Sequence, residues 1–270
     1  MNPNAGMGGH IARRRFGQNF LVSPGIIDRI IAAIQPCQGD NMVEIGPGLG
    51  ALTQPLAERL NHLHVVEIDR DLIARLRQRY DANKLTIFEV DALKFDFGAL
   101  CGAGAPLRVV GNLPYNISTP LLFHLADFIS CLRDLHFMLQ KEVVMRMVAM
   151  PGTADYGRLS VMLQARFHVE RLFDVPSGAF RPAPKVTSSI VRMAPLPAGA
   201  SGVGNEKLFA RIVAAAFSQR RKILRNTLKD FLGESGFTAL GIDPGIRAEQ
   251  LSVADFAAIT HYCDEHFRPA

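Results

Sequence analysis

The sequence has few cysteines, and none of them is spaced as in a metal-binding or redox motif. They lie far apart, with no C-x-x-C pair and no cysteine–histidine spacing typical of a metal site. The eight histidines are also scattered, so we expect no zinc or other metal site. This pattern predicts reduced thiols in a cytosolic protein. The four cysteines are Cys37, Cys101, Cys131 and Cys263.

The sequence also lacks a long apolar run, an apolar signal core behind its basic N-terminal segment, and any internal repeat. These absences predict a cytoplasmic protein without a membrane-spanning segment. Hydrophobic residues make up 48% of the 270 residues and charged residues 20%, which is enough apolar material for one large and one smaller domain. The net charge of +5 slightly favours a polyanionic partner.

Most of the chain alternates between strand-like and helix-like segments. This alternation predicts an α/β fold with a mostly parallel, doubly wound sheet. The last two strand-like runs, residues 168–175 and 188–193, have no helix between them and predict an antiparallel hairpin at one edge of the sheet. The other predicted strands are residues 42–45, 64–68, 85–90, 107–110 and 135–139, and the predicted helices are residues 26–34, 52–60, 71–80, 120–128 and 142–149.

A composition change near residue 196 predicts a domain boundary. Residues 195–205 are rich in Pro, Gly, Ala and Ser and carry almost no charge, as is typical of a linker. The following segment has helical patterns throughout and contains a basic run at residues 219–229. We therefore predict a first domain over residues 1–196 and a small helical domain over residues 205–270.

A glycine-rich turn, residues 44–50 (EIGPGLG), follows the first predicted strand and precedes a helix. Such a turn is either a tight strand-to-helix connection or part of a nucleotide site. Two acids favour the second reading, because Glu67 and Asp91 end the next two strands, where open α/β sheets bind ligands. Either acid alone is equally typical of a solvated loop or of a helix cap, for which Asp69 is the better candidate.

Residues 112–115 (NLPY) follow the fourth predicted strand and carry the clearest chemical signal. An adenine amine is a poor nucleophile because its lone pair is delocalised into the ring. The Asn112 side-chain oxygen and the Leu113 carbonyl are suited to accept the amine hydrogens and to stabilise charge that develops on nitrogen. Pro114 fixes the turn, and Tyr115 offers a ring for stacking on a flipped base. The alternative is an Asx-type turn with a buried tyrosine.

Together these stretches resemble the small-subunit ribosomal RNA adenine dimethyltransferases. The resemblance covers nearly the whole chain, and no motif that carries chemistry departs from the family pattern. The matching segments are residues 10–21 (HIARRRFGQNFL), 44–50 (EIGPGLG), 111–120 (GNLPYNISTP), 136–143 (HFMLQKEV), 156–161 (YGRLSV), 180–188 (FRPAPKVTS), 219–228 (QRRKILRNTL) and 241–252 (GIDPGIRAEQLS).

The resemblance implies a Rossmann-like class I fold with a seven-stranded sheet, and S-adenosyl-L-methionine (SAM) as cofactor. It implies that Gln18, Asn19 and Leu21 cover the cofactor from the N-terminal side. Gly46 then contacts the methionine end of the cofactor, and Glu44 lies beneath that end and is needed for activity.

The resemblance also assigns the remaining site residues. Glu67 binds the ribose of the cofactor and Asp91 its adenine. Asn112, which also borders the cofactor, holds the target base together with Tyr115. Phe180 is the second aromatic residue and stacks on the other face of that base, although core packing is the alternative for any single phenylalanine.

The implied substrate is the 16S rRNA of the small (30S) ribosomal subunit. The family converts two adjacent adenines in a hairpin loop near the 3′ end to N6-dimethyladenine, which implies a role in rRNA processing and ribosome biogenesis. Residues 205–270 would bind rRNA, and we expect a monomer.

The basic residues are either phosphate contacts or a solvated surface. They are Arg13, Arg14, Arg15, Arg220, Arg221, Lys222, Arg225 and Lys229.

Three rival functions stay open. The first is the same chemistry on large-subunit RNA, against which residues 219–228 and 241–252 argue. The second is a non-catalytic ribosome assembly factor, in which we would expect a damaged glycine turn or a damaged NLPY motif. The third is a nicotinamide-dependent oxidoreductase, which would explain Glu67 but not residues 112–115.

Overall fold

The computed structural model describes residues 18–102 and 104–266. The described chain divides into two compact units. The first contains the residues up to 144 together with 170–194, and the second contains residues 145–169 together with those from 195 onward. The predicted first domain, residues 1–196, contains residues 145–169, but in the structure this segment belongs to the second unit. The reason is packing, because helix α6 (Arg158–Gln164) in this segment lies against helix α7 (Glu206–Ala216).

A seven-stranded sheet has the strand order β4-β3-β2-β5-β6-β9-β7. A separate two-stranded pair joins β1 to β8. The strands are β1 (Phe20–Leu21), β2 (Asn41–Ile45), β3 (Leu63–Glu67), β4 (Leu85–Glu89), β5 (Leu107–Asn112), β6 (Leu132–Gln140), β7 (Phe167–Val175), β8 (Phe180–Arg181) and β9 (Ser188–Pro195).

Helices follow most of the central strands, as the alternating pattern predicted. The helix α3 begins after Asp69, whose side chain accepts a hydrogen bond from the Asp71 N–H, so the predicted cap is confirmed. The α-helices are α1 (Pro24–Ile34), α2 (Thr53–Arg59), α3 (Arg70–Arg79), α4 (Ser118–Ala126), α5 (Lys141–Val148), α6 (Arg158–Gln164), α7 (Glu206–Ala216), α8 (Leu224–Thr227), α9 (Glu234–Leu240) and α10 (Val253–His266).

The central strands run parallel, which confirms the predicted fold class. Strand β2 pairs in parallel with β3 and β5, and the same direction continues to β4 and β6. Strand β9 is antiparallel to β6, and β7 lies beside it at the edge of the sheet. Because parallel strands end at the same edge, Ile45, Glu67, Glu89 and Asn112 all lie at one rim of the sheet.

The buried Arg108 side chain connects the opposite rim of the sheet to the end of α1. Its guanidinium contacts Asp134 Oδ1 at 3.0 Å and Asp40 Oδ2 at 2.6 Å, and it donates hydrogen bonds to the carbonyls of Ile34 and Gln35. Although burial opposes the charged form of Asp134, the His136 ring 3.5 Å away and the hydrogen bond from Arg108 lower its pKa to about 2. The planar guanidinium thus satisfies two carboxylates and two helix-end carbonyls at once.

The second unit is helical around its own apolar core. Helix α7 packs against α6, α8 and α10. The basic run at residues 219–229 is not one continuous helix, because a turn over residues 218–222 precedes the short helix α8. Across residues 18–102 and 104–266, we find no helix with the length and apolar character needed to cross a membrane. The buried core of this unit includes Phe209, Ile212, Val213, Leu224, Leu228, Phe237, Phe256 and Ile259.

The prediction of four reduced thiols is wrong for two of the cysteines. Cys101 and Cys131 form a disulfide, with their Cα atoms 5.7 Å apart. The segments that lead into the neighbouring parallel strands β5 and β6 start at the same rim of the sheet, and this brings the two cysteines together. Cys37 and Cys263 are free.

We expect Arg108→Met to lower the free energy of unfolding by about 3–5 kcal/mol, because each of two buried carboxylates loses a charged partner. Urea denaturation at pH 7 measures this loss. The matched control is Arg133→Met, since Arg133 also contacts Asp40, at 2.9 Å, but its side chain is 55% exposed. The control should cost less than about 1 kcal/mol.

The pH dependence gives a second readout of the same variant. Asp134 has a folded-state pKa of about 2 against an ordinary value of 3.8, so its contribution is present above pH 4 and is lost as the pH falls through 2. The wild type should therefore lose more stability than Arg108→Met between pH 4 and pH 2. Equal urea midpoints for the two arginine variants at pH 7 would contradict the assigned role of Arg108.

Candidate active site

A cavity of about 290 Å³ lies within the first unit, and its wall includes the strand-end residues Glu67 and Asn112. This volume is close to the lower limit of roughly 300 Å³ for small-molecule pockets. Its walls come from the segment around β1, the glycine turn, the ends of β3 and β4, and the NLPY motif. The lining includes Gln18, Asn19, Phe20, Leu21, Glu44, Gly46, Gly48, Glu67, Ile68, Asp91, Asn112, Leu113, Pro114 and Tyr115.

The glycine turn forms one wall with its backbone rather than with side chains. Gly46 has a φ of 66° and Gly48 a φ of 59°, in the left-handed region that glycine adopts without strain. A Cβ atom at position 48 would lie only 3.1 Å from the Phe20 ring. The absence of side chains therefore lets the N-terminal segment and any ligand approach the turn closely.

Glu67 and Asp91 lie on this cavity, as predicted. The Glu67 Oε1 atom accepts hydrogen bonds from the N–H groups of Ile68 and Asp69, which fix the carboxylate at the end of β3. Burial raises the pKa of Glu67, and these backbone hydrogen bonds oppose the rise. Asp91 Oδ1 accepts from the Leu93 N–H, and Asp91 Oδ2 has no hydrogen-bond partner among the described residues. Both acids can therefore accept hydrogen bonds from a ligand.

Glu44 lies beneath the turn with 2% of its surface exposed. Its Oε2 atom has no hydrogen-bond partner within residues 18–102 and 104–266. Burial raises its pKa to about 8, the Thr53 hydroxyl opposes that rise, and the charge of Glu67 adds to it. A buried carboxyl with an unused acceptor is a suitable partner for a positively charged ligand group, because such a group would compensate the cost of ionising it. The carboxyl groups of Glu44, Glu67 and Asp91 thus fit a cationic nucleoside cofactor.

The Asn112 side chain is held in a defined orientation. Its Nδ2 atom donates to the Asn19 carbonyl at 3.0 Å, and the described residues provide no hydrogen bond to its Oδ1 atom. The preceding Gly111 permits close approach of β5 to β2, since a Cβ at position 111 would lie 2.6 Å from the Ile45 carbonyl oxygen. The Asn112 amide therefore lies next to the glycine turn, with its oxygen available to accept a hydrogen bond.

Tyr115 is half-buried and lines the same cavity. Its hydroxyl shares a hydrogen bond of 2.8 Å with the Ser188 hydroxyl, and its carbonyl accepts from the Ser118 hydroxyl at 3.0 Å. One hydrogen bond thus holds the phenol hydroxyl and the other holds the backbone of Tyr115.

Phe180 is the one predicted site residue that the structure does not bring to the cavity. It is 1% exposed, pairs with Leu21 across the β1–β8 bridge, and packs in the apolar core. The environment of Phe180 thus agrees with the core-packing alternative. Its role in stacking on the target base stays a prediction.

Sequence reasoning missed several residues that form the site. Phe20 contacts the glycine turn, and Ile68 is an apolar side chain, 47% exposed, beside Glu67 on the cavity wall. Phe20 lies within a matching segment, so the resemblance pointed to the segment but not to this ring. Ser188 contributes through its bond to Tyr115, 73 positions away in sequence, and no sequence pattern predicts that contact.

The second unit has its own cavity of about 350 Å³, which is lined by both basic and acidic residues. Arg220 donates to the Ala154 carbonyl at 2.7 Å, and Arg225 is paired with Glu234 at 2.8 Å. The predicted phosphate contacts Arg13, Arg14 and Arg15 lie outside the described residues. Within residues 18–102 and 104–266 no cluster of three or more metal-binding side chains occurs. The charged residues that line the second cavity are Arg146, Asp155, Arg158, Arg220, Lys222 and Glu249.

We expect Glu44→Gln to change the pH dependence of stability in the ligand-free protein. The folded-state pKa of about 8 lies above the ordinary value of 4.5, so the neutral carboxyl stabilises the fold below pH 4.5 and this contribution is lost as the pH rises to 8. At pH 8 the variant should be more stable than the wild type by on the order of 4 kcal/mol. Urea denaturation between pH 5 and pH 8 measures this difference.

The matched control for this prediction is Glu58→Gln, because Glu58 is an exposed acid on the neighbouring helix α2. This control should follow the wild type at every pH. The same slope of stability with pH in Glu44→Gln and in the wild type would show that Glu44 is not buried as a neutral carboxyl.

Comparison with solved structures gives the same fold. A dimethyladenosine transferase from Plasmodium falciparum aligns with a TM-score of 0.74 and 26% identity, covering 89% of this chain and 95% of that one. The 23S rRNA methyltransferase ErmE aligns with a TM-score of 0.67 and 24% identity, covering 91% of this chain and 100% of that one. At this identity the second likeness concerns the fold alone.

Comparison of sequences is more specific. The family model described as ribosomal RNA adenine dimethylase matches residues 9–265. A ribosomal RNA small subunit methyltransferase A from Aromatoleum aromaticum is 71% identical over 95% of this chain and 96% of its own length. A protein with the same name from Thiobacillus denitrificans is 63% identical over 94% of this chain and 98% of its own length. The chain therefore belongs to the ribosomal RNA adenine dimethylase family.

Proposed function

We propose that this protein is a 16S rRNA (adenine-N6)-dimethyltransferase that uses SAM. Its substrate is the pair of adjacent adenines in the hairpin loop near the 3′ end of the RNA in the 30S subunit. One observation carries the proposal: Asn112 and Tyr115 lie on the same cavity as Gly46, Glu67 and Asp91. A cofactor site and a site for an adenine amine therefore adjoin each other.

The first group of residues holds the cofactor, which supplies an electrophilic methyl group on a sulfonium. Glu67 binds the ribose hydroxyls, and the Asp91 Oδ2 atom accepts from the adenine amine. Gly46 contacts the methionine end, and Glu44 balances the positive charge there. Asn19 and Leu21, which line the same cavity, cover the cofactor together with Gln18.

The second group of residues acts on the target base. The Asn112 Oδ1 atom and the Leu113 carbonyl accept the two amine hydrogens, so that the nitrogen lone pair is directed toward the cofactor. Positive charge develops on this nitrogen during transfer, and oriented oxygen atoms stabilise it in a site that excludes water. The Tyr115 ring stacks on the base and holds the amine within reach.

Phe180 remains a proposed contact of the opposite face of the base. Since its ring is buried in the core, this role requires that the ring become accessible when RNA binds. Its bridge to Leu21 gives it a second role, because it holds the segment that covers the cofactor.

We infer that the helical segment from residue 205 onward binds rRNA through its phosphates. The exposed Arg220, Arg221, Lys222 and Lys229 support this inference, whereas Arg225 is engaged by Glu234. Such contacts position the RNA without reading its sequence and weaken steeply with salt. A substrate in the small subunit implies a cytoplasmic protein that acts during ribosome biogenesis. We propose that it acts as a monomer.

The rival functions receive less support. A non-catalytic assembly factor has no need for the intact set of Glu44, Glu67, Asp91 and Asn112 around one cavity. The large-subunit alternative is compatible with the fold, since ErmE shares it. The relatives with 63–71% identity are named for the small subunit, which favours the 16S substrate.

We expect Asn112→Ala to reduce methyl transfer by roughly 10²–10³-fold, the loss typical of removing one group that stabilises charge in the transition state. Cofactor affinity should change much less. Transfer of labelled methyl to unmethylated small subunits measures the rate, and calorimetry measures cofactor binding. The contrasting variant is Glu67→Ala, which should weaken cofactor binding. Unchanged turnover in Asn112→Ala would contradict the proposed mechanism.

We expect labelled methyl groups to appear only in the small subunit when unmethylated small and large subunits are offered together. Mapping of the product should place the label on two adjacent adenines near the 3′ end of 16S rRNA. Mass spectrometry should identify both products as N6-dimethyladenine. Label on large-subunit RNA would overturn the choice of substrate while leaving the chemistry of the site intact.

A further inference from the structure

The Ser188 side chain is buried, yet among the described residues its hydroxyl has a single partner, the hydroxyl of Tyr115 at 2.8 Å. A buried hydroxyl needs a hydrogen bond, since leaving it without one costs free energy. In this case the partner is a side chain on the wall of the active-site cavity. Ser188 therefore connects the interior of the sheet to the residue that is proposed to stack on the target base.

The location of Ser188 makes it a rigid anchor. It is the first residue of β9 and is paired with Gln140 at the end of β6. The preceding Thr187 carbonyl accepts a hydrogen bond from the Lys141 N–H at 2.9 Å, which fixes the chain immediately before the strand. The backbone around Ser188 is thus held from both sides, and its hydroxyl offers Tyr115 a fixed point.

Tyr115 itself lies on a less regular segment, between the end of β5 and the start of α4. Its carbonyl is held by the buried Ser118 hydroxyl. That contact fixes the backbone but leaves the ring free to rotate about its side-chain bonds. The bond to Ser188 at the far end of the phenol restricts this rotation and defines where the ring lies.

We propose that Ser188 is a positioning residue, which holds the Tyr115 ring in the orientation needed to stack on the target adenine. The inference rests on the proposed function, because it takes Tyr115 to stack on the target adenine. It assigns no contact between Ser188 and the substrate. An oriented ring places the adenine amine at the correct distance and angle from Asn112 before the base arrives. Small errors in such placement are costly in rate.

The test is a comparison of Ser188→Ala with Tyr115→Phe and the double variant. We expect Ser188→Ala to lower kcat/KM for small-subunit RNA by roughly tenfold, about the value of one hydrogen bond. The cofactor Kd should stay unchanged. Tyr115→Phe removes the same bond from the other side and should cause a similar loss. The double variant should be no worse than either single variant, because both remove one interaction.

Ser189→Ala is the matched control. Ser189 is the next residue of the same strand and is equally buried, but its hydroxyl donates to Asp174 at 2.6 Å instead of contacting the site. Its loss should affect thermal stability as Ser188→Ala does, without the loss in kcat/KM.

Three results would overturn the inference: wild-type activity in Ser188→Ala, an equal loss in Ser189→Ala, or fully additive losses in the double variant. If Ser188→Ala does not fold, unaltered kcat/KM in Tyr115→Phe overturns it equally. These results differ from a failure of the proposed function, in which the wild type itself would transfer no methyl group to the adenine amine.

Discussion

The site depends on the close packing of two parallel strands, β2 and β5, at the rim where both end. Because Gly111 has no side chain, the end of β5 can lie directly against the Ile45 carbonyl. This contact brings Asn112, the next residue, beside the glycine turn that follows β2. If the strands were further apart, the amide would not share a cavity with the residues proposed to bind the cofactor.

Polar groups in this protein are buried in two different ways. At one rim of the sheet Arg108 is paired with Asp134 and Asp40, and the contacts of Asp134 with His136 and Arg108 lower its pKa to about 2. At the other rim Glu44 has an oxygen to which no described residue donates, and its pKa rises to about 8. The first arrangement stabilises the fold. The second retains an unused acceptor at a cost in stability, as is typical of a site that a ligand completes.

Three contacts between distant parts of the chain orient the proposed catalytic side chains. The Asn19 carbonyl holds the Asn112 amide, Ser188 holds the Tyr115 hydroxyl, and Phe180 bridges to Leu21. Residues 180–188 thus support the site from behind rather than lining it. This explains why a segment that matches the family so closely supplies no side chain to the cavity wall.

The sequence by itself determined the parallel sheet, the glycine turn, the acids Glu67 and Asp91, and the NLPY motif, because hydrophobic period and local turn chemistry are encoded over a few neighbouring residues. It did not determine that Phe180 is buried, that Cys101 meets Cys131, or that residues 145–169 pack with the helical unit. Nor did it show that Ser188 reaches Tyr115. Each of these depends on which distant segments come into contact, and only the tertiary packing of the strands and helices decides that.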